Sequence, residues 1–332
     1  MMLTILRTDG LTRRAIAALA WMAAALATPV VAQDYPGRTV RIIVPFPAGG
    51  TADVMPRVVA DWLSRQWGQA VVIENKTGAA GNIGAEAAYN AAPDGYTLLA
   101  SPPPPLVINQ NLYPKLAFDP SQFVPISVMG IVPNALVVNP QKIAATSVAD
   151  FIAYAKANPG KIAAATQGNG TTSHLTSELF AMMAKVKFVQ VPYRGSAPAL
   201  QGLLAGDVDI MFDNLGVSLP LVRSGKLKLI AVGTEQRIAA LPDVPTIAET
   251  LPGFASSAWF GMAGPPKMPD AIAAKISADI AEALRQPDVR KRLADLSAEP
   301  VGGTPAETAA FMRAEVDRWN NVIKAANVKL EQ

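Results

Sequence analysis

The hydrophobic pattern changes period along the chain in a regular way. Residues 40–44 form a β-branched run, 45–50 a Pro/Gly-rich break, and 51–67 a stretch of helical character. A second strand is predicted at 71–74, a second Gly-rich break at 77–81 and a second helix at 82–91. Asp94-Gly95 then turns the chain into a third strand at 96–100. This is a βαβαβ unit, which specifies a parallel sheet covered by helices on both faces. The theme repeats with strands at 136–138, 162–165, 188–191, 208–212 and 227–232. Helices are predicted near 148–157, 171–184, 196–204 and 215–223. After Trp259 the pattern becomes helical. Ile272, Ile276, Ile280 and Leu284 mark one stripe, and Met312, Val316, Trp319 and Ile323 another. Both read as core-facing helix faces.

The two βαβ-rich stretches predict two similar α/β domains, each a mainly parallel sheet flanked by helices. The C-terminal helices have no sheet of their own and are expected to pack back on the first domain. That makes domain one discontinuous, residues 33–133 plus 258–332, with domain two at 134–257. A cleft between two such domains is a natural ligand site and hinge. Pro56 lies early in the first helix, where its missing N–H predicts a slight kink or a shifted cap.

The N-terminus reads as an export signal, residues 1–32. Arg7, Arg13 and Arg14 form a basic start and residues 15–27 a short apolar core. Val30-Val31-Ala32 supplies a small residue before Gln33, so cleavage is expected between Ala32 and Gln33. The core is too short to span a bilayer, and no later segment offers about 18 uninterrupted apolar residues. Thr12-Arg13-Arg14 leaves general and twin-arginine export both open. Removing the three Arg and one Asp of this segment takes the formal charge from +3 to +1. The mature chain is then expected to be a nearly neutral, exported, soluble protein, and a monomer.

Composition narrows the chemistry. The chain has no Cys, which excludes disulfides, a thiolate nucleophile and Cys-ligated metals. A single His excludes a two-histidine metal site. The small net charge argues against nucleic acid. No cofactor and no metal are expected. Pro is abundant, 28 of 332 residues, and four of these form the run 102–105 after the third strand.

The loops that follow the strands carry the candidate chemistry. Ala48, Gly49, Gly50, Thr51 and Asp53 open the first helix, and free N–H groups there suit an anion such as a carboxylate. Gly78, Ala79, Ala80, Gly81 and Asn82 repeat the arrangement. Their G-x-x-G spacing is neither a dinucleotide fingerprint nor a P-loop. In the second half, Gln167 precedes Thr171, Thr172, Ser173 and His174 at another helix start. Tyr193, Arg194, Gly195 and Ser196 open the next, and Arg194 is the one cation in these loops. Asp213 follows an apolar strand, where it either accepts a hydrogen bond from a ligand or caps the next helix.

These segments resemble the solute-binding receptors of tripartite tricarboxylate transporters, the Bug-type family. The matching stretches are 35–36, 44–53, 74–81, 93–97, 173–175, 191–195 and 241–246. The resemblance implies a periplasmic two-domain receptor of the type II, Venus-flytrap fold. It implies a small carboxylate held by the loops 48–53 and 78–82, partly through ordered water. Second-domain contacts are implied at Gln167, Thr171, Thr172, Ser173, His174, Tyr193, Arg194, Gly195, Ser196 and Asp213. The partner would be the transporter's membrane subunits or a sensor protein. Ser101, at the end of the third strand, is a further expected ligand contact, but the Pro run 102–105 after it departs from the small polar residues usual there and is expected to reshape that wall.

Two other classes fit the sequence less well. An exported hydrolase would use Ser173 and His174, but adjacent residues at a helix start face each other poorly, and no G-x-S-x-G elbow exists. A sugar or quaternary-ammonium receptor wants stacked aromatics, which are scarce at 6%. The reading is therefore a binding protein without catalysis.

Overall fold

Strand β1 (Val40–Val44) lies between β2 (Val71–Asn75) and β3 (Thr97–Ser101), parallel to both. Val40, Ile42, Ile43 and Val44 are fully buried, as a central parallel strand covered on both faces requires. Helix α1 (Thr51–Trp67) returns the chain from β1 to β2, and α2 (Asn82–Tyr89) returns it from β2 to β3. The structure is a computed structural model that describes residues 35–329. The expected export signal at 1–32 lies outside the described residues. Contacts divide the chain after Gly37, and the unit from Arg38 onward carries all of these elements.

Strand β4 (Val124–Val138) is the pivot of the fold. Its first part pairs antiparallel with β9 (Ser257–Gly264) and β10 (Glu299–Gly302). From Asn134 onward it pairs antiparallel with β7 (Ile210–Asn214) and β8 (Lys228–Val232). Beyond β7 come β5 (Ile162–Thr166) and β6 (Phe188–Pro192), both parallel. The full order is β2-β1-β3-β9-β4-β7-β5-β6, with β8 and β10 also on β4. Each half is thus an α/β layer with a mixed sheet, parallel among β1, β2 and β3 and among β5, β6 and β7, and antiparallel around β4 and β9. Antiparallel neighbours need no covering crossover helix, so β4 and β9 can run through the middle as long connections.

The second half is wrapped by α3 (Val148–Ala157), α4 (Thr172–Ala184), α5 (Ser196–Ala205) and α6 (Leu215–Arg223). Its core gathers Phe151, Phe180, Phe212 and Phe254. Phe180 stands 5.3 Å from Phe212 and 5.7 Å from Phe151, in aromatic-pair range. The C-terminal segment adds α7 (Asp270–Arg285), α8 (Pro287–Asp295) and α9 (Pro305–Ala325). The two expected stripes are real. Ile276, Ile280 and Leu284 are buried on α7, and Met312, Trp319 and Ile323 on α9. This segment also contributes β9 and β10 to the first half, so helices alone were too simple an expectation.

Helix α9 is anchored by a buried carboxylate. Glu315 Oε2 accepts from Trp259 Nε1 at 2.8 Å and Trp319 Nε1 at 3.0 Å, and Arg318 lies 3.1 Å from its other oxygen. Three N–H donors replace the water that burial removes. Among the described residues, no helix is long and apolar enough to cross a membrane.

Candidate functional site

The loop after β1 is organised by Asp53. Its Oδ2 accepts from Gly49 N–H at 3.1 Å, and its Oδ1 accepts from Arg57 Nε and Asn75 Nδ2, both at 2.9 Å. Asn75 also donates to the Phe46 carbonyl at 2.9 Å. Burial works to raise the Asp53 pKa, but the bonds from Arg57, Asn75 and Gly49 together hold the carboxyl below its usual value. These bonds tie Asp53 to its own loop, to α1 and to the end of β2, so Asp53 shapes the site instead of lining it. The helix cap is Gly50, with no side-chain cap bond, so Thr51 is the first helical residue. Pro56 therefore lies inside the helix, as its sixth residue. Thr51 Oγ1 is buried and has no protein partner.

The next loop is held in an unusual backbone conformation. Gly78, Ala79, Ala80 and Gly81 all have positive φ, at 136°, 46°, 50° and 92°. The two alanines each cost about 1 kcal/mol in this region. Such strain persists only where surroundings enforce it. Asn109 is part of that enforcement. Its Nδ2 donates to Asn82 Oδ1 at 2.6 Å and to the Ala80 carbonyl at 3.2 Å.

In the second half, Thr171 caps α4, its Oγ1 accepting from His174 N–H at 3.4 Å. Helices α1, α2, α5 and α6 have no side-chain cap, which leaves first-turn N–H groups for other acceptors. Gly195 N–H donates to the Gln167 carbonyl at 3.1 Å and joins two of the loops. Asp213 is fully buried. Its Oδ1 accepts from Ser196 Oγ at 2.7 Å and Gln167 Nε2 at 2.8 Å. Burial raises its pKa to about 6 against the pull of those two bonds.

His174 is also buried, and burial lowers its pKa to about 4. Its Nδ1 accepts from Gly170 N–H at 3.1 Å, so the neutral ring must carry its proton on Nε2, 3.8 Å from Glu178 Oε1. That arrangement uses the one basic nitrogen and leaves none for the Ser173 hydroxyl. Ser173 Oγ has no protein partner.

The two halves meet across a cavity of about 410 Å³. Of the residues expected at the site, it is lined by Gly78, Ala79, Ala80, Gly81, Gln167, Tyr193, Arg194 and Gly195. Arg194 is the one charged residue of the lining, and makes no ion pair among the described residues. A smaller void of about 20 Å³, room for a single water, is bordered by Thr171 and Thr172. Ala48, Gly49, Gly50, Thr51, Asp53, Asn82, Ser101, Ser173, His174, Ser196 and Asp213 line neither space. Ser101 Oγ donates to the adjacent Pro102 carbonyl at 2.9 Å. A Cβ on Gly195 would stand 3.2 Å from Pro47, and one on Gly50 would stand 3.6 Å from Ser196 Cβ. The opposing loops therefore touch at these two points.

Sequence reasoning missed Phe46, which borders both spaces, and Phe260, which lines the void with Pro102 and Pro104. Phe46 lay inside a quoted motif and could have been found as the one large apolar side chain in that loop. Phe260 lies on β9, a strand the hydrophobic pattern did not reveal. Removing the orphaned Thr51 hydroxyl should help the empty protein. Thr51→Val is expected to stabilise the ligand-free chain by about 1 kcal/mol, read as a raised Tm. A lowered Tm would show that the hydroxyl has a structural partner.

An α/β fold with this mixed sheet is that of the type II periplasmic binding proteins. The model of the family described as "Tripartite tricarboxylate transporter family receptor" matches residues 55–328, and the chain belongs to that family. It is 39% identical to BugT of Bordetella pertussis over 311 residues, 93% of this chain and 95% of that one. It is similar to Rpa4515 of R. palustris, solved with adipate. That match has 37% identity and a TM-score of 0.86, and covers 89% of this chain and 99% of that one. It is also similar to MatC of Rhodopseudomonas palustris, solved with bound malate. Here the identity is 35% and the TM-score 0.82, with 87% and 100% covered.

Proposed function

We propose that the mature chain is a periplasmic receptor that closes on a small carboxylate and delivers it to the membrane subunits of a tripartite tricarboxylate transporter. One observation carries this reading. The cavity is walled by strand-end loops and uncapped helix starts, and Arg194 is the one charged side chain in its lining. Helix N-terminal amides stabilise an anion without a dedicated cation pair. Adipate and malate, found in the two relatives, are the first acids to test.

In this reading the lobes are residues 33–133 plus 258–332, and 134–257. The chain crosses between them at Pro133/Asn134 and again at Ser257/Ala258. Closure brings Gln167 and Arg194 onto an acid already held by the loop at 78–81. The receptor performs no chemistry, consistent with a His174 whose basic nitrogen is occupied. Export through residues 1–32 places it in the periplasm.

The test is calorimetric titration of the refolded mature chain with the acid that gives the largest thermal shift. Arg194→Gln is expected to weaken that binding about tenfold, the size of one charge-assisted hydrogen bond. Unchanged affinity would remove Arg194 from the site.

A further inference from the structure

We infer that Asn134 is a positioning residue. It fixes the cleft-wall side chain Gln167 by tying it, through Asn214, to both segments where the chain crosses between the sheet halves. A continuous run of hydrogen bonds, buried from Asn214 onward, joins them. Gln167 Nε2 donates to Asp213 Oδ1 at 2.8 Å and to Asn214 Oδ1 at 3.3 Å. Asn214 Nδ2 donates to Asn134 Oδ1 at 2.9 Å. Asn134 Nδ2 donates onward to Ser256 Oγ at 2.9 Å and Thr176 Oγ1 at 3.0 Å. Asn134, Thr176, Ser256 and Asn214 are each at most 5% exposed. Only Gln167, at the far end, reaches the cavity.

The main chain reinforces the same junction. Asn134 N–H donates to the Ser256 carbonyl at 3.4 Å, and the Asn134 carbonyl accepts from Gly233 N–H at 2.6 Å. Ser256 N–H in turn donates to the Gly233 carbonyl at 2.7 Å. Asn134 is the residue at which β4 starts to pair with the second half, and Ser256 directly precedes β9 of the first. Both crossings therefore bond to a single side chain.

The run has a direction. Ionised Asp213 can only accept, so Gln167 must turn its NH₂ toward it. Asn214 must then offer its carbonyl to Gln167 and its NH₂ to Asn134. Asn134 is left with its carbonyl toward Asn214 and its NH₂ toward the hydroxyls of Ser256 and Thr176. Reversing Asn214 or Asn134 would set NH₂ against NH₂, and reversing Gln167 would set its carbonyl against the Asp213 carboxylate and the Asn214 carbonyl. An Asn supplies one acceptor and two donors in a short rigid fork. Leu supplies none of them and Asp lacks the donors. Satisfied buried networks of this kind impose one geometry on their members. Here that geometry runs from the crossings to the ligand cavity. Its importance for binding rests on reading that cavity as the ligand site, but its test does not.

The test is NMR on the full mature chain, freed of ligand by unfolding and refolding, with no acid added. The Gln167 side-chain amide is assigned by its loss in Gln167→Met, and its exchange with water is measured. Asn134→Leu and Asn214→Ala should each speed that exchange about fivefold, the equivalent of one net hydrogen bond. Ser256→Ala reaches Gln167 only through Asn134 and should speed it about twofold. Asn139→Ala is the structural control. Asn139 is equally buried on the same side of the fold but bonds to the Leu203 carbonyl, outside the run, and its loss should leave Gln167 unmoved. Unchanged exchange in Asn134→Leu, or in Ser256→Ala should the first not fold, overturns the proposal. So does an equal change in Asn139→Ala. Failure of the carboxylate reading would leave all of these readouts intact.

Discussion

Gly216→Ala is expected to destabilise the protein by about 3 kcal/mol, a fall in Tm of about 6 °C. Gly216 is the second residue of α6 and is buried. A Cβ placed there would lie 2.0 Å from the Leu296 carbonyl oxygen, 2.5 Å from its carbonyl carbon and 2.6 Å from its Cα. These are main-chain atoms at the end of α8, where the chain turns toward β10. No side chain can rotate away, so α6 or that turn must move. The contact joins an element of the second sheet half to one of the first, so the shift would also disturb how the halves meet. Gly50→Ala is the matched control. Its φ is −87° and its nearest neighbour would be Ser196 Cβ at 3.6 Å, an ordinary contact. Gly50 is the helix cap, where Ala costs under about 1 kcal/mol, so the control should lie within about 2 °C of wild type. Thermal unfolding of both variants checks the pair. Equal Tm values would contradict the close approach of α6 to Leu296.

The second large effect concerns pH, where two buried groups oppose each other. His174 titrates in the unfolded chain near 6.5 but in the folded protein at about 4. As pH falls through that window, the unfolded state takes up a proton that the native state refuses, and stability is lost. Asp213 runs the other way. Its unfolded value is 3.8 and its folded value about 6, so its unfavourable burial is relieved as pH falls through 6. Each shift is equivalent to about 3 kcal/mol. In wild type the two largely cancel between pH 6 and pH 4. Between pH 6 and 4.5 that relief is about 2 kcal/mol, and Asp213→Asn should remove it, so Tm should drop about 4 °C further than wild type on acidification from pH 7 to 4.5. At pH 7.5 the same variant should be the more stable protein. His174→Asn should do the reverse and resist acid better than wild type. Parallel Tm-versus-pH curves for all three chains would refute this assignment.

Much of the fold is legible in the sequence because its signals are local. The β-branched run at Val40–Val44, the Gly-rich breaks and the stripes on α7 and α9 each announce their element without tertiary help. Strand β4 does not. It contains Pro125, Gly130 and Pro133, all weak strand formers, and its register with β9 shifts twice near the first two. Only its end at 136–138 showed a β pattern. Strand β9 reads SAWFGMAG and lacks the β-branched residues that mark a strand. Its conformation is set by the neighbours β3 and β4 on either side.

The site divides along the same line. Loops that hold glycines beside strand ends could be read as ligand-facing, and those at 78–81, 167 and 193–195 do line the cavity. Which polar side chain faces the cavity and which faces the protein is a tertiary matter. Asp53 and Asp213 both sit at helix starts in the sequence, yet each has its bonds to neighbouring loops and side chains. Asn134 carried no local signal at all. Its role exists only because β4, β7 and the segment before β9 meet around it.

The central claim is that the cavity recognises a small organic acid by its charge. The direct measurement is a thermal-shift titration of the refolded, ligand-free mature chain with a panel of mono- and dicarboxylic acids, each beside its neutral amide. At 100-fold excess over Kd a bound acid adds about 2.7 kcal/mol, a rise of about 5 °C in Tm. The account predicts such a rise for at least one acid and none for its amide. A panel in which no acid shifts the Tm of folded protein, or in which the amides shift it as far, would contradict it.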